Sequence, residues 1–322
     1  MVDIQLNWRP GIDAPKYYPI CTFFGSFSTG KNEDNNSCSL AISGPENGGW
    51  GNSGLEMSTG DFVPQKLDIG WFSFAENKYF FGQFILPTDK MKTLFKEAFI
   101  RSNGNKAFYN SLITNMYPQG GIALWMSIGG VRTVEIAHFQ AEETDYDWKK
   151  LYPSMLMEKE VFIKEVMDGI EGGKAYLTKH GISPEPFKTI YRTRYEYTIT
   201  IDDVAHKDTI HIIAKFYNGE MDTMWGGGLT NNFFKTKALP KHLFFRWHKN
   251  GIVYFGEVYF KEQEIFEVFG EMYQTYSDTS YVLRLNPDYG TKKVTIVLIS
   301  QEKKIKFKKY GKLGKSSINL NN

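Results

Sequence analysis

The spacing of apolar and polar residues divides the chain into two kinds of segment. Runs with a period of two, at Ile4–Trp8, Ile20–Phe24, Tyr195–Ile201 and Ile210–Phe216, predict half-buried strands. Around residue 91 the period changes. Met91, Leu94, Phe95, Ala98 and Phe99 fall at i, i+3, i+4, i+7 and i+8, the stripe of an amphipathic helix, with Thr88 and Asp89 placed to start it. Adding 174 to each number gives Ile265, Val268, Phe269, Met272 and Tyr273, a second such stripe. Glu262 and Glu264 lie at its start, where the helix dipole favours negative charge.

The flanks of the two helices also match. Pro64, Leu67 and Trp71 meet Pro240, Leu243 and Trp247, and Gly82 meets Gly256. Further on, Ala123, Trp125, Gly130, Val134 and Ile136 meet Leu283, Leu285, Gly290, Val294 and Ile296, in each case a hairpin around a glycine-containing turn. Matched blocks in the same order predict a tandem duplication. The expected fold is α+β. It consists of two β-rich repeats related by a pseudo-twofold axis, each an antiparallel sheet with one packed amphipathic helix. Residues 1–148 form the first repeat, 149–188 a helical connector and 189–322 a divergent second repeat. Within the connector, Ser154 is placed to cap a helix from Met155 to Ile170, and Ser183-Pro184-Glu185-Pro186 reads as a stiff extended link.

Composition narrows the class without naming a function. Aromatics reach 16% of 322 residues, in keeping with a strand-rich protein. A net charge of +2 provides no global field for nucleic acid, so none is expected as a partner. No apolar run approaches the ~18 residues of a membrane span. Met1 to Leu6 has no signal-peptide character, which predicts a cytoplasmic protein unless a leader has been removed. Cys21 and Cys38 read as isolated thiols. The seven lysines between Lys303 and Lys315 alternate with apolar residues, as the solvated face of a strand does; a basic arm for an anionic membrane is the alternative.

Candidate chemistry is sparse. Gly49-Trp50-Gly51-Asn52-Ser53-Gly54 satisfies G-x-G-x-x-G, but the residues that follow lack the helical periodicity a dinucleotide site requires. With Met224-Trp225-Gly226-Gly227-Gly228 it reads as one of two glycine-rich loops carrying a tryptophan. None of the six histidines has the spacing of a metalloprotease helix and there is no Cys-x-x-Cys, so neither metal nor other cofactor is expected. Ser73, Glu76, Glu135 and His138 are the groups from which a hydrolase would be assembled. Glu135 and His138 are three apart on one strand and are expected on opposite faces. Trp50, Tyr117, Trp225 and Tyr289 read as loop-tip aromatics suited to a protein or glycan surface. The candidate binding residues are Trp50, Trp71, Glu76, Tyr117, Trp125 and Trp225.

Trp71-Phe72-Ser73-Phe74-Ala75-Glu76-Asn77-Lys78-Tyr79, followed by Gly82-x-Phe84-x-Leu86-Pro87, and Pro118-Gln119-Gly120-Gly121-Ile122-Ala123-Leu124-Trp125 with Val134-Glu135-Ile136, resemble the bacterial lipoprotein-like family of domain of unknown function 2931. Ala14-Pro15 and Tyr18-Pro19 fit the same pattern. The resemblance spans roughly residues 4 to 145; in the second copy Leu285 stands where the first has Trp125. It implies an exported lipoprotein whose acylated cysteine precedes the domain, placed in the periplasm or at the outer membrane. It also implies an organisation similar to immunity proteins that neutralise a secreted antibacterial effector of the type VI kind by direct contact. A glycan-binding or structural envelope lipoprotein is the second expectation, and a hydrolase using Glu76 and His138 the third.

Overall fold

The computed structural model describes residues 6–30, 36–40, 44–52, 58–202, 209–227, 234–249, 252–276 and 279–317. The chain divides into two compact units, 1–190 and 191–322. The first begins with β1 (Arg9–Asp13), β2 (Ile20–Ser28), β3 (Ser37–Ser39), β4 (Lys66–Ser73) and β5 (Lys78–Ile85), then α1 (Thr88–Lys96). It continues through β6 (Phe99–Ile100), β7 (Lys106–Ala107), β8 (Ser111–Tyr117), β9 (Gly121–Ile128), β10 (Arg132–Gln140) and β11 (Glu142–Thr144). Four short helices close it: α2 (Trp148–Leu151), α3 (Lys159–Asp168), α4 (Gly173–His180) and α5 (Glu185–Lys188).

Strands β1, β8, β9 and β10 lie side by side in that order; β1 runs parallel to β8 and the other pairs are antiparallel. A five-stranded antiparallel sheet has the order β11-β5-β4-β2-β3, and β6 with β7 makes a two-stranded ribbon. Leu67, Ile69 and Trp71 of β4 share one core with Leu112 and Met116 of β8, Leu124 and Met126 of β9, and the two buried helix residues Met91 and Phe95. Burial of each large apolar side chain in this core is worth about 1.5–3 kcal/mol. Every residue of β8 and β9 is buried, so these strands are covered on both faces. The outer side of the five-stranded sheet is also covered. There Phe72 and Tyr79 pack with Trp148 of α2 and Phe162 of α3, and the Lys159 ammonium lies 4.9 Å from the Phe72 ring and 5.0 Å from the Tyr79 ring.

The second unit contains β12 (Arg194–Ile201), β13 (Thr209–Phe216), β14 (Met221–Gly227), β15 (Lys235–Ala238), β16 (Pro240–Lys249) and β17 (Ile252–Tyr259). After α6 (Glu262–Thr275) come β18 (Tyr281–Asp288), β19 (Lys293–Ile299), β20 (Lys304–Lys306) and β21 (Gly311–Ser317). The strand order is β14-β13-β16-β17-β21-β19-β18-β12-β15, with β20 on β19. The β12–β18 pair is parallel. Ile265, Val268, Phe269 and Met272 of α6 are buried, whereas Tyr273 at the end of the expected stripe is 48% exposed.

The expected fold class is therefore corrected. The described residues are dominated by strand, at 47% against 19% helix, and the two units are not repeats of one antiparallel sheet with one helix. Among the described residues the first unit has two sheets, a ribbon and five α-helices, and both units contain parallel pairing. Alternation identifies a strand but not a partner about 100 residues away, which is how far Asp13 lies from Asn115 in sequence. Two local expectations also shift. The helix expected from Met155 begins at Lys159, leaving Ser154 in a turn, and Ser183-Pro184 leads into α5 rather than an extended link. Ile4 and His206 lie outside the described residues.

Cys21 and Cys38 are buried thiols that form no disulfide. Burial pushes the Cys21 thiol up to about 11 and raises that of Cys38. Neither is expected to react with iodoacetamide at pH 8 while the protein is folded, whereas urea-unfolded protein should label at both. Prompt labelling of the folded protein would contradict this assignment.

Candidate functional site

The face of the four-stranded sheet opposite the core gathers most of the first unit's chemistry. On β8 it presents Ile113, Asn115 and Tyr117, which pair with Trp125, Ala123 and Gly121 of β9. A bulge at Ile136 shifts the β10 register, so that Glu135 pairs with Trp125 and His138 with Ala123. Trp125 and Ala123 are two apart and share a face, and their partners Glu135 and His138 therefore share it too. The expectation that they point apart is corrected. One extra residue in the strand reverses the parity.

Above this face lies the Gly49–Asn52 loop. Asp13, at the end of β1, accepts hydrogen bonds from the backbone N–H groups of Ala14, at 2.7 Å, and Gly49. Asn115, its register neighbour, is wholly buried. Its Oδ1 accepts from Gly51 N at 2.8 Å and its Nδ2 donates to the Asn52 carbonyl at 3.0 Å. Gly49 is required by close approach, because a Cβ there would lie 2.3 Å from Asp13 Oδ2. The glycines of this motif thus serve a loop clamped by an acid and an amide; Gly54 lies outside the described residues. Desolvation, the largest influence, pushes the Asp13 carboxyl up to about 6, and nearby Glu46 adds to it.

The clamped loop sets Trp50 edge-on to Trp125, with ring centroids 4.9 Å apart, and to Tyr117 at 5.8 Å. Phe187 of α5 reaches the same place, 4.8 Å from Trp50, and Tyr18 packs on Phe187. The Trp50 indole N–H is buried without an acceptor among the described residues. Tyr117 is 2% exposed, and its hydroxyl hydrogen-bonds His138 Nε2.

At the end of this face Glu76 joins two turns. Its Oε2 accepts from Ser73 Oγ at 2.8 Å, within the β4–β5 turn, and its Oε1 accepts from Gln119 N at 2.9 Å, at the tip of the β8–β9 hairpin. That tip is tightly built. Gly120 has φ +76°, and a Cβ on it would meet the Ala141 carbonyl at 2.6 Å. Burial raises the Glu76 pKa more strongly than its two hydrogen bonds lower it. Ser73 with Glu76 and Tyr117 with His138 form two separate hydrogen-bonded pairs rather than one nucleophile–base–acid relay. Glu76→Ala is expected to destabilise the protein by about 1–2 kcal/mol in urea unfolding, and Glu76→Gln, which retains an acceptor for Gln119 N, by clearly less. Equal losses would show that charge rather than hydrogen bonding carries the contact.

Of the sequence-derived candidates, Trp50, Tyr117 and Trp125 are brought together, and Glu76 sits two residues along the hairpin from Tyr117, at Gln119. Trp71 is elsewhere, 1% exposed and stacked on Phe80 in the core. Trp225 belongs to the second unit, in strand β14 opposite His211, so Met224-Trp225-Gly226 is not a loop. Sequence reasoning missed Asp13, Asn115, Tyr18 and Phe187. Asn115 did carry a signal, an amide in a strand between the apolar pairs Leu112-Ile113 and Met116-Tyr117. Among the described residues no three His, Cys, Asp or Glu side chains form a metal-binding group, and no helix is long and apolar enough to cross a membrane.

No curated protein and no solved structure matches the chain. The model of a family described as protein of unknown function (DUF2931) matches residues 3–184, more than half of the sequence and nearly all of the first unit. It spans β1 to α4, the clamped Trp50 loop and the Glu76 bridge included, and the chain belongs to that family.

Proposed function

We propose that this protein is a non-enzymatic binding protein, an immunity protein that neutralises a secreted antibacterial effector by direct contact. The observation that carries the reading is how the reactive side chains are used. Ser73 and Glu76 bond to each other and to a turn backbone, and His138 bonds to Tyr117, as groups that hold a scaffold do. An inhibitor of this kind needs a rigid body with a complementary face and no reacting centre. The reading places it in the cell envelope, held by a lipid.

Deleting the gene in the source cell is expected to sensitise it to effector-delivering neighbours, and re-expression should restore survival. The tagged protein should purify from those cells in a stoichiometric complex with the effector. Unchanged survival after deletion, together with recovery of the protein alone, would overturn the proposal. Release of product from an ester or glycoside, lost in both Glu76→Gln and His138→Gln, would favour the hydrolase instead.

A further inference from the structure

We propose that the second unit carries a binding groove for an acidic polysaccharide, lined by Tyr254, Tyr289, Lys292, Leu313 and Lys315. The groove encloses about 470 Å³, a volume in the range of small-ligand sites, and belongs to a unit that the family match does not cover. The inference does not depend on the immunity reading.

The sequence builds the groove from a sheet face and a hairpin turn. Trp247, Tyr254 and Lys315 occupy directly paired positions on β16, β17 and β21, and so share one face. Trp247 is wholly buried and stacks on Tyr254 at 5.5 Å. Tyr289, in the β18–β19 turn, stands edge-on to Tyr254 at 4.8 Å. That turn is fixed by Asp288, whose carboxylate accepts from Gly290 N, Thr291 N and Thr291 Oγ1 at 2.7–3.1 Å. The same turn holds Lys292 at φ +55°, a backbone conformation that disfavours a side chain. Behind the two tyrosines the wholly buried Trp247 indole N–H has no acceptor among the described residues.

The lining chemistry selects the ligand. Two tyrosine rings, one of them 37% exposed, give a surface on which the C–H face of a sugar ring can lie. Two exposed ammonium groups flank them, and neither is ion-paired among the described residues. Among the described residues no carboxylate lines the groove. A ring carrying a carboxylate, as in a uronic acid, satisfies both features at once through charge-assisted hydrogen bonds. An acidic peptide could not add as a strand to β17, which is paired on both edges, to β16 and to β21.

The test is calorimetric titration of the whole protein with a short oligogalacturonate, with a neutral maltooligosaccharide of equal length, and with polyglutamate. Oligogalacturonate is expected to bind, with the neutral glycan and the peptide at least about tenfold weaker, the worth of one charge-assisted hydrogen bond. Lys315→Gln and Tyr289→Ala should each weaken binding about tenfold while the melting temperature is preserved. Lys292→Gly should weaken binding and at the same time raise the melting temperature, since it relieves the left-handed backbone. No heat with oligogalacturonate, equal binding of polyglutamate, or unaltered affinity in the folded Lys315→Gln and Tyr289→Ala variants would each overturn the proposal.

Discussion

Asn115→Ala is expected to lower the unfolding free energy by about 3–4 kcal/mol, an unusually large effect for a polar side chain. The amide is wholly buried and makes two hydrogen bonds to the Trp50 loop, to Gly51 N and the Asn52 carbonyl, besides one to the Thr114 carbonyl. Truncation removes the side-chain partners of a donor and an acceptor of the loop backbone, in two part-buried hydrogen bonds. It also releases Trp50 from Trp125 and Phe187, so indole fluorescence should shift in the same variant. Asn115→Asp separates geometry from charge. An aspartate retains the acceptor for Gly51 N but opposes the Asn52 carbonyl, and it sits directly across from Asp13. Two buried carboxyls in adjacent register positions repel, so this variant should be poorer still at pH 7 and recover on acidification, when one of them takes up a proton. Urea unfolding at pH 5 and pH 7 measures both effects. A loss below about 1 kcal/mol in Asn115→Ala would mean that the loop is held by other contacts.

Much of what surrounds this loop was legible in the sequence. The stripes through Met91 and Phe95 and through Ile265 and Phe269 mark real helices, and Trp71 and Trp247 are both buried on central strands. Aromatic character marked Trp50, Tyr117 and Trp125, which do converge. The parts that stayed hidden share one cause, the dependence on a partner distant in sequence. Parallel pairing brings Asp13 beside Asn115, and neither residue type announces the other. The bulge at Ile136 reverses which face Glu135 uses, although the local alternation gives no sign of it. Trp225 was misplaced for a different reason. Asn218-Gly219, with Gly219 at φ +83°, is a strong hairpin signal that puts residues 221–227 into a strand, and it outweighs the loop-like glycines after Trp225. The Trp50 loop itself looked like a phosphate cradle by motif alone. Its glycines instead admit a carboxyl and an amide from the same molecule.

The second large effect is a loss of stability as pH rises. Desolvation, aided by Glu46, pushes the folded-state pKa of Asp13 up to about 6, from an ordinary value of 3.8. The folded protein therefore holds a proton that the unfolded chain has already released. Below pH 3.8 both states are protonated and the contribution is fully present. Between there and pH 6 it is lost, and above pH 6 the loss is complete, amounting to about 3 kcal/mol. Asp13→Asn removes the titration while retaining one amide acceptor for the two N–H groups of Ala14 and Gly49. Its stability should be close to flat across the same interval, so that the difference between the two proteins, rather than either curve alone, isolates Asp13 from Glu76, whose raised pKa acts in the same direction. At pH 7 the variant should be as stable as the parent or more so, because a buried charge has been removed at the cost of one hydrogen bond. Identical slopes in the two proteins would show that the loop N–H groups keep Asp13 ionised, with the clamp working as an anion site rather than as a neutral acid.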